Sequence, residues 1–314
     1  MTYSSFGWQG KFEAFLEGSA LYAEEYDQSG TRYDLEPQLV GRARDLGAGE
    51  GANLTEWSAA VNPLFAAGCE SQALAVLSSF AAPLMALHKN PRSLLVALYG
   101  TMRCKKTALV AAASVWGMPE GLRIDPGLGG NRRLAQIGDL GNLPCFFDEL
   151  MQRDPAIVAR LCWEFALGNA PKEVPRWATL GFTRSIGAPE PSDEAARPIW
   201  TQVWLSCWFP KEEAVSSLKA RLLANRGVAG DRYLRYLVKA ETVQWVSARL
   251  EKYARMFKAN QPDERYKLRI LWAAAVIVAS ELVAINEIIE HDTGRFIEYL
   301  RGEESPLNLP VAPR

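Results

Sequence analysis

The segment from Gly100 to Thr107 carries residue types suited to holding phosphate. It reads Gly-Thr-Met-Arg-Cys-Lys-Lys-Thr and lies where a short apolar run, 93–99, meets an Ala-rich helical pattern, 106–116. The phosphate-binding loop template is a glycine, four residues, then Gly-Lys-Ser/Thr. Gly100, Lys106 and Thr107 match this template. We therefore expect Lys106 to reach the β- and γ-phosphates of ATP and Thr107 to hold Mg²⁺.

Lys105 departs from the template, because it stands where the second glycine belongs. A side chain at that position must tolerate a backbone geometry that glycine adopts freely. We place Lys105 with Gly100, Lys106 and Thr107 in the predicted nucleotide-binding set. The alternative is an ordinary strand-to-helix turn in which two lysines occur by chance.

An acidic pair follows a second apolar segment, 143–147. Asp148 is predicted to hold Mg²⁺, directly or through water, and Glu149 to act as the base on the attacking water. The alternative is an Asp-Glu pair that caps a helix after a strand. The position of the pair, about forty residues after the phosphate-binding pattern, favours the functional interpretation.

Two further candidates follow the third apolar segment, 177–182. It ends in the polar cluster 183–185, where ring-forming ATPases place a polar residue that positions the attacking water. Thr183 and Ser185 are the candidates, and we assign the role to Thr183. Arg197 precedes a fourth segment, 199–209, and is predicted to reach the nucleotide of a neighbouring subunit. A polar loop and a surface arginine are the alternatives.

These candidates require a sheet whose strands alternate with helices along the chain. Such alternation is typical of an α/β core with a parallel sheet. We predict this core over residues 60–210, after a partly helical lead-in at 1–59. A helical domain at 211–304 and a loose tail at 305–314 are expected to follow.

Charge limits the function classes. The chain has 314 residues, with 35 Lys and Arg against 36 Asp and Glu, which excludes a strong general affinity for nucleic acid but not a local basic patch. Residues 211–269 hold such a concentration, with aromatic residues interleaved, which suits phosphate contact and base stacking. The alternative, which we favour, is a solvated helical face whose aromatics point inward. Arg132 and Arg133, in the Gly-rich segment 127–133, are candidates for a nucleic-acid-binding channel loop or for a plain connection.

Cysteine and histidine usage indicates a reducing compartment. The five cysteines are scattered and the two histidines lie far apart, so neither a disulfide framework nor a His-rich metal site is expected. The apolar stretch 270–289 is interrupted by polar residues and predicts a buried helix rather than a membrane span. No signal peptide is evident. We expect a cytoplasmic protein without membrane contact.

Several of these motifs, taken together, resemble those of one known family. The run 100–117 ends in Ala-Ser-Val-Trp-Gly, and 146–149 and 166–169 read Phe-Phe-Asp-Glu and Ala-Leu-Gly-Asn. A Trp-led segment, 177–185, follows. Together they resemble a family of phage- and plasmid-borne helicase-like ATPases related to superfamily-three and AAA+ helicases, over about residues 60–290.

The resemblance implies a P-loop NTPase fold (AAA+/RecA-like) for the core, to which the sequence pattern adds a helical N-terminal lead-in and a helical C-terminal domain. It also implies ATP and Mg²⁺ as cofactors and a homo-oligomeric ring acting on single-stranded DNA in phage or plasmid DNA replication, with possible replication partners. Because Lys105 alters the loop, the alternative is a scaffold or assembly component of a replication or packaging complex. A packaging motor or protein-remodelling ATPase is a third possibility.

Overall fold

A computed structural model describes residues 2–23, 34–89, 91–147, 155–166, 178–184, 200–205, 212–261, 263, 266–302 and 305–307. The first sixty residues contain short strands that the sequence analysis missed, beside two helices. Strands of two to four residues give too little alternation to be recognised. The elements are β1 (Thr2–Tyr3), β2 (Gly7–Gln9), β3 (Ala14–Glu17), β4 (Ala20–Ala23), β5 (Asp34–Leu35), α1 (Pro37–Ala43) and α2 (Leu54–Val61). β2, β3 and β4 form an antiparallel sheet, and β1 pairs with β5 in parallel.

The central sheet is parallel, as predicted, and it has five strands. They are β6 (Leu94–Gly100), β7 (Arg123–Ile124), β8 (Cys145–Phe147), β9 (Leu180–Arg184) and β10 (Trp200–Leu205). Their order is β10-β6-β9-β8-β7. Four of them lie within or overlap the predicted apolar segments. β7 was not predicted, because its two residues lie in a Gly- and Pro-rich stretch without a period.

This order creates a crevice at the carboxyl edge of the sheet. The chain leaves β6 toward β7 at one edge, whereas it leaves β9 toward β10 at the other. Neighbouring strands whose connections depart in opposite directions leave a gap above their carboxyl ends, and ligands of α/β sheets bind there. Gly100 ends β6 and Arg184 ends β9, so both stand at this crevice.

Helices cover the sheet and extend to the C-terminus. They are α3 (Glu70–Ala81), α4 (Met102–Ser114), α5 (Pro119–Leu122), α6 (Gly130–Leu140), α7 (Pro155–Ala166), α8 (Glu212–Ala224), α9 (Val228–Leu237), α10 (Ala240–Asn260), α11 (Lys267–Ile285) and α12 (Thr293–Arg301). Two 3₁₀ segments, Asn62–Phe65 and Ala82–Leu87, flank α3 and carry a proline near their starts. They separate α3 from the preceding helix and end its regular α-helical hydrogen bonding, because proline removes a helical backbone donor.

α3 lies at the centre of one continuous core. Its Ser78 Oγ accepts a hydrogen bond from Trp272 Nε1 of α11 at 2.9 Å, and its Ser79 Oγ accepts one from Trp116 Nε1 at 3.0 Å. The buried hydrophobic cluster runs from Phe6 to Leu307. The core therefore includes residues on both sides of the predicted boundary at residue 210.

Two helical segments, Glu70–Leu87 and Lys267–Ile285, are long and apolar enough to cross a membrane. Within the fold, 94% and 72% of them are buried, as is typical of core helices in a folded protein. The interpretation of 270–289 as containing a buried helix is confirmed by α11, apart from Ile285, which is 54% exposed.

Candidate functional site

The turn between β6 and α4 is very short. β6 ends at Gly100, whose φ of +136° lies where side chains are disfavoured; a Cβ there would lie 2.8 Å from the Leu205 carbonyl oxygen. Thr101 caps α4, and its Oγ1 accepts a hydrogen bond from the Cys104 amide at 3.5 Å. The positive φ of Gly100 thus allows the chain to enter the helix at once.

The segment expected to bind phosphate is a closed turn in this structure, meaning that two of its backbone amides already have hydrogen-bond partners within the turn. The Lys105 amide donates to the Thr101 carbonyl at 3.1 Å, so the amides of Cys104 and Lys105 already have partners within the helix turn. Lys105 itself is buried, with 3% of its surface exposed. The template needs free backbone amides that point at phosphate, and these two are occupied.

Thr107 does not fit a magnesium ligand here. Its Oγ1 donates to the Arg103 carbonyl at 2.9 Å, and its side chain is fully buried. A helical threonine often satisfies its hydroxyl in this way. Among the residues that the structure describes, no group of three or more His, Cys, Asp or Glu side chains could hold a metal ion.

Lys106, in contrast, is exposed and lines a cavity of about 530 Å³. Leu109 and Val110 line it as well, because residues three and four positions apart share one helix face. Phe146 lines the sheet side and stacks on Phe182 of β9, with ring centroids 5.0 Å apart. This volume lies within the range of small-molecule sites.

Cationic side chains from separate elements surround this cavity. Arg123 comes from β7, Arg184 from β9 and Lys219 from α8, and they join Lys106. Glu120 is the one carboxylate among the described lining residues. Arg123 was not among the predicted residues, and Lys219 was predicted only as part of the basic segment 211–269, because nothing in their local sequence shows that the chain brings them to one place. Arg184 was visible only as a member of the polar cluster after β9.

The N-terminal part of the chain braces one wall of the cavity. Arg42 of α1 donates through Nη1 to the carbonyls of Gly121 and Arg123, at 2.9 and 3.0 Å. The Met118 amide donates to the Asp45 carbonyl at 2.6 Å. These bonds fix α5 and the start of β7, so residues before 60 position the cavity wall that carries Arg123.

Thr183 is fully buried on the sheet face opposite Arg184. Its register partners are Ala97 on β6 and Phe147 on β8. Phe147 immediately precedes Asp148, so the structure brings Thr183 beside the strand that leads into the acidic pair. Asp148, Glu149 and Arg197 themselves lie outside the described residues.

The interpretation of Arg133 as a nucleic-acid contact requires correction. Arg133 lies on α6, fully buried; its Nε and Nη2 donate to the Glu164 carboxylate at 2.7 and 2.8 Å. Its Nη1 donates to the carbonyls of Pro126 and Leu128. Because Nε, Nη1 and Nη2 of this buried guanidinium already donate to acceptors within the protein, it cannot contact phosphate. The neighbouring Arg132 is exposed and remains a candidate.

In the basic C-terminal segment the structure separates charges from several of the aromatics. Tyr253 and Phe257 of α10 are buried, whereas Lys252, Arg255 and Lys258 are exposed. The Lys252 ammonium lies 5.5 Å from the Tyr253 ring centroid. These two aromatics are therefore core residues, whereas the exposed cations form a surface suited to phosphate.

Cysteine chemistry differs from the expectation at one position. Cys104 of α4 is disulfide-bonded, whereas Cys69, Cys145 and Cys162 are free thiols. Cys207 lies outside the described residues. Burial raises the pKa of Cys145 to about 12, so its thiol is unreactive near neutral pH.

Comparison with known proteins supports this architecture. No curated protein matches the chain. A solved structure described as "SCCmec type IV Cch - active helicase" aligns with a TM-score of 0.75 at 16% identity. The alignment covers 95% of this chain but only 59% of that one, and at 16% identity the likeness concerns the fold alone. The family model "Domain of unknown function (DUF927)" matches residues 1–170, more than half of the chain. The chain therefore belongs to the DUF927 family.

Proposed function

We propose that the protein binds and hydrolyses ATP in order to move along or remodel nucleic acid. The proposal rests on the position of Lys106. This residue lies in the first turns of α4, beside the carboxyl edge of the sheet, and lines a cavity that contains several cationic side chains. The solved structure with the shared fold is described as an active helicase, which supports the same function. Phage or plasmid DNA replication is the setting that we propose.

In this proposal Lys106 binds the β- and γ-phosphates, and Gly100 allows the helix to begin close to them. Glu149 takes a proton from the attacking water, and Thr183 helps to hold that water, because β8 and β9 are neighbours. Asp148 is the proposed metal ligand. Arg197 would complete the site of a neighbouring subunit in an AAA+-like ring, and the exposed cations of α10 would contact single-stranded DNA.

A degenerate scaffold is the second candidate, and the closed turn favours it. The amides of Cys104 and Lys105 and the hydroxyl of Thr107 are all bonded within the first turns of α4 and its cap. A protein of this kind would keep the fold for assembly of a replication or packaging complex, without turnover of ATP.

Thermal unfolding with and without Mg²⁺ and ATP separates the two candidates. For one site, ligand at a hundred times its Kd adds about 2.7 kcal/mol to the free energy of unfolding. We expect this stabilisation in the natural protein and in Lys11→Ala, which changes an exposed lysine that does not line the cavity, but not in Lys106→Ala. ATP hydrolysis should then rise when single-stranded DNA is added. Absence of any shift at millimolar ATP would favour the scaffold.

A further inference from the structure

Two carboxyl groups share one tyrosine hydroxyl at the junction between the N-terminal antiparallel sheet and α9. The Tyr22 hydroxyl of β4 lies 3.2 Å from Glu17 Oε2 of β3 and 3.0 Å from Asp231 Oδ1 of α9. A hydroxyl has one hydrogen to donate. If both carboxyl groups were ionised, one of the two contacts would bring oxygen lone pairs together without a proton between them. The two distances together therefore require a second proton in this cluster.

The second proton belongs to Glu17 rather than to Asp231. Arg235 donates through Nε to Asp231 Oδ2 at 2.9 Å and through Nη2 to Oδ1 at 3.0 Å, and a guanidinium that engages both oxygens stabilises the ionised carboxylate. The Glu17 side chain is 1% exposed, and its Oε1 accepts no hydrogen bond from the part of the chain that the structure describes. The hydrogen bonds then run in one direction, from Glu17 to Tyr22 and from Tyr22 to Asp231.

Two further contacts at this position bring backbone oxygens rather than donors. Gly230 of α9 lies beside Glu17, since a Cβ at Gly230 would be 3.2 Å from Glu17 Oε1, and the Gly230 amide already donates to the Val115 carbonyl at 2.9 Å. Gly18, the next residue in the chain, packs on the Leu46 carbonyl, whose oxygen would lie 3.0 Å from a Cβ at Gly18. Carbonyl oxygens offer no proton to a carboxylate, so neither contact would stabilise a negative charge on Glu17.

We propose that Glu17 is a proton-dependent clasp: its protonated carboxyl joins β3 and β4 to α9 through Tyr22, and loss of the proton loosens this junction. Among the described residues, the ionisable groups that act on Glu17 are Tyr22 and Asp231, and Arg235 acts through Asp231. After deprotonation the single Tyr22 hydrogen can serve only one of two carboxylates, so the bond to the other is lost.

The direction of the pH dependence follows from the surroundings of Glu17. Burial, and then the negative charge of Asp231, raise the pKa of Glu17 well above its usual value. The clasp is therefore closed below this raised pKa and opens as the pH rises through it. The proposed function is not needed for this inference, because the clasp is defined by contacts between the N-terminal sheet and α9 alone.

Infrared difference spectra locate the proton. At about pH 6 an ordinary glutamate, with a pKa of about 4.3, is ionised. The spectrum of the natural protein minus that of Glu17→Gln should contain the carbonyl band of a protonated carboxyl group, whereas the same difference for Asp231→Asn should contain carboxylate bands. The exposed Glu13→Gln is the matched control and should also give carboxylate bands. Carboxylate bands for Glu17→Gln, or a protonated-acid band for Asp231→Asn, would overturn the inference.

Hydrogen exchange followed by mass spectrometry tests the clasp itself. Protection factors for peptides covering β3 and β4 are compared at pH values below and above the point where the infrared spectra show Glu17 to ionise. In the natural protein protection should fall about fivefold or more, as for loss of one hydrogen bond, whereas Glu17→Gln, whose amide still donates to Tyr22, should change less than about twofold. Peptides of α12 serve as the internal control and should not change.

Two results would contradict the clasp: an equal loss of protection in both proteins, or a Glu17 that stays protonated until the whole chain unfolds. If Glu17→Gln fails to fold, carbon NMR of the natural protein labelled at the glutamate carboxyl groups decides instead. A glutamate carboxyl that is still protonated at about pH 6 supports the inference, and complete ionisation of all glutamates at that pH overturns it.

Discussion

Glu17 is a carboxylic acid that the fold places where a negative charge is costly. Its side chain is 1% exposed, and its Oε1 has no hydrogen-bond partner in the described part of the chain. The Tyr22 hydroxyl lies 3.2 Å from Glu17 Oε2 and 3.0 Å from Asp231 Oδ1. Arg235 pairs with Asp231 at 2.9 Å. Burial, and then the charge of Asp231, raise the pKa of Glu17 well above its usual value.

The raised pKa of Glu17 makes stability depend on pH. The protonated form is favoured in the folded state, so its contribution is complete below the unfolded pKa of about 4.3 and is lost as the pH rises toward the folded pKa. Glu17→Gln removes this loss. Relative to the natural protein, the variant should gain up to about 1.4 kcal/mol in the free energy of unfolding per pH unit over that range. Urea titrations at several pH values measure this; the exposed Glu13→Gln should parallel the natural protein, and parallel curves for Glu17→Gln would contradict the assignment.

Arg133 and Glu164 form a buried ion pair whose role is structural. Removal of one partner leaves the other charge buried, so Arg133→Met should lower the free energy of unfolding by about 3–5 kcal/mol. Arg132→Met changes an exposed neighbour and should stay within about 0.5 kcal/mol. The double variant Arg133→Met with Glu164→Leu should regain part of the loss. Unchanged stability of Arg133→Met, together with weaker DNA binding, would restore the sequence-based interpretation.

At the scale of elements, the junction of β6 and α4 depends on Gly100. Alanine at φ +136° is strained, and its Cβ would lie 2.8 Å from a backbone oxygen of β10. Gly100→Ala should therefore lower the free energy of unfolding by about 1–3 kcal/mol. Gly129 has φ −60°, and a Cβ at that position would have no heavy atom within 4 Å, so Gly129→Ala should stay within about 0.5 kcal/mol. Denaturant titration compares them, and equal effects would mean that the turn tolerates a side chain.

At the scale of the whole molecule, α3 joins the sheet to the C-terminal helices. Trp272→Phe leaves the buried Ser78 hydroxyl without its hydrogen-bond donor, and should lower the free energy of unfolding by about 1–3 kcal/mol.

Because one core spans the chain, we expect far-UV circular dichroism and tryptophan fluorescence to report a single, coincident unfolding transition. Trp245→Phe, on the partly exposed face of α10, should unfold like the natural protein. Separate transitions in the natural protein would show that the helical region folds independently.

The sequence by itself determined the α/β class, the parallel sheet and most of its strands. Apolar runs such as 93–99 and 143–147 are buried on both faces, so their composition reveals them. It also located the candidate lysine, because Gly100, Lys106 and Thr107 keep a fixed local spacing. These features depend on residues that are close together along the chain, and such proximity can be read directly from the sequence.

Only the tertiary structure decided which candidates share a site. Arg123, Arg184 and Lys219 are far apart in the chain and converge through strand order and through the packing of α8 on α4. Arg133 and Arg132 are neighbours of the same type, yet one is buried beside Glu164 and the other faces solvent. The closure of the turn at Gly100 likewise depends on the hydrogen bonds that α4 makes from its first residues. Long-range contacts and the choice of hydrogen-bond partner are decided by the folded chain as a whole.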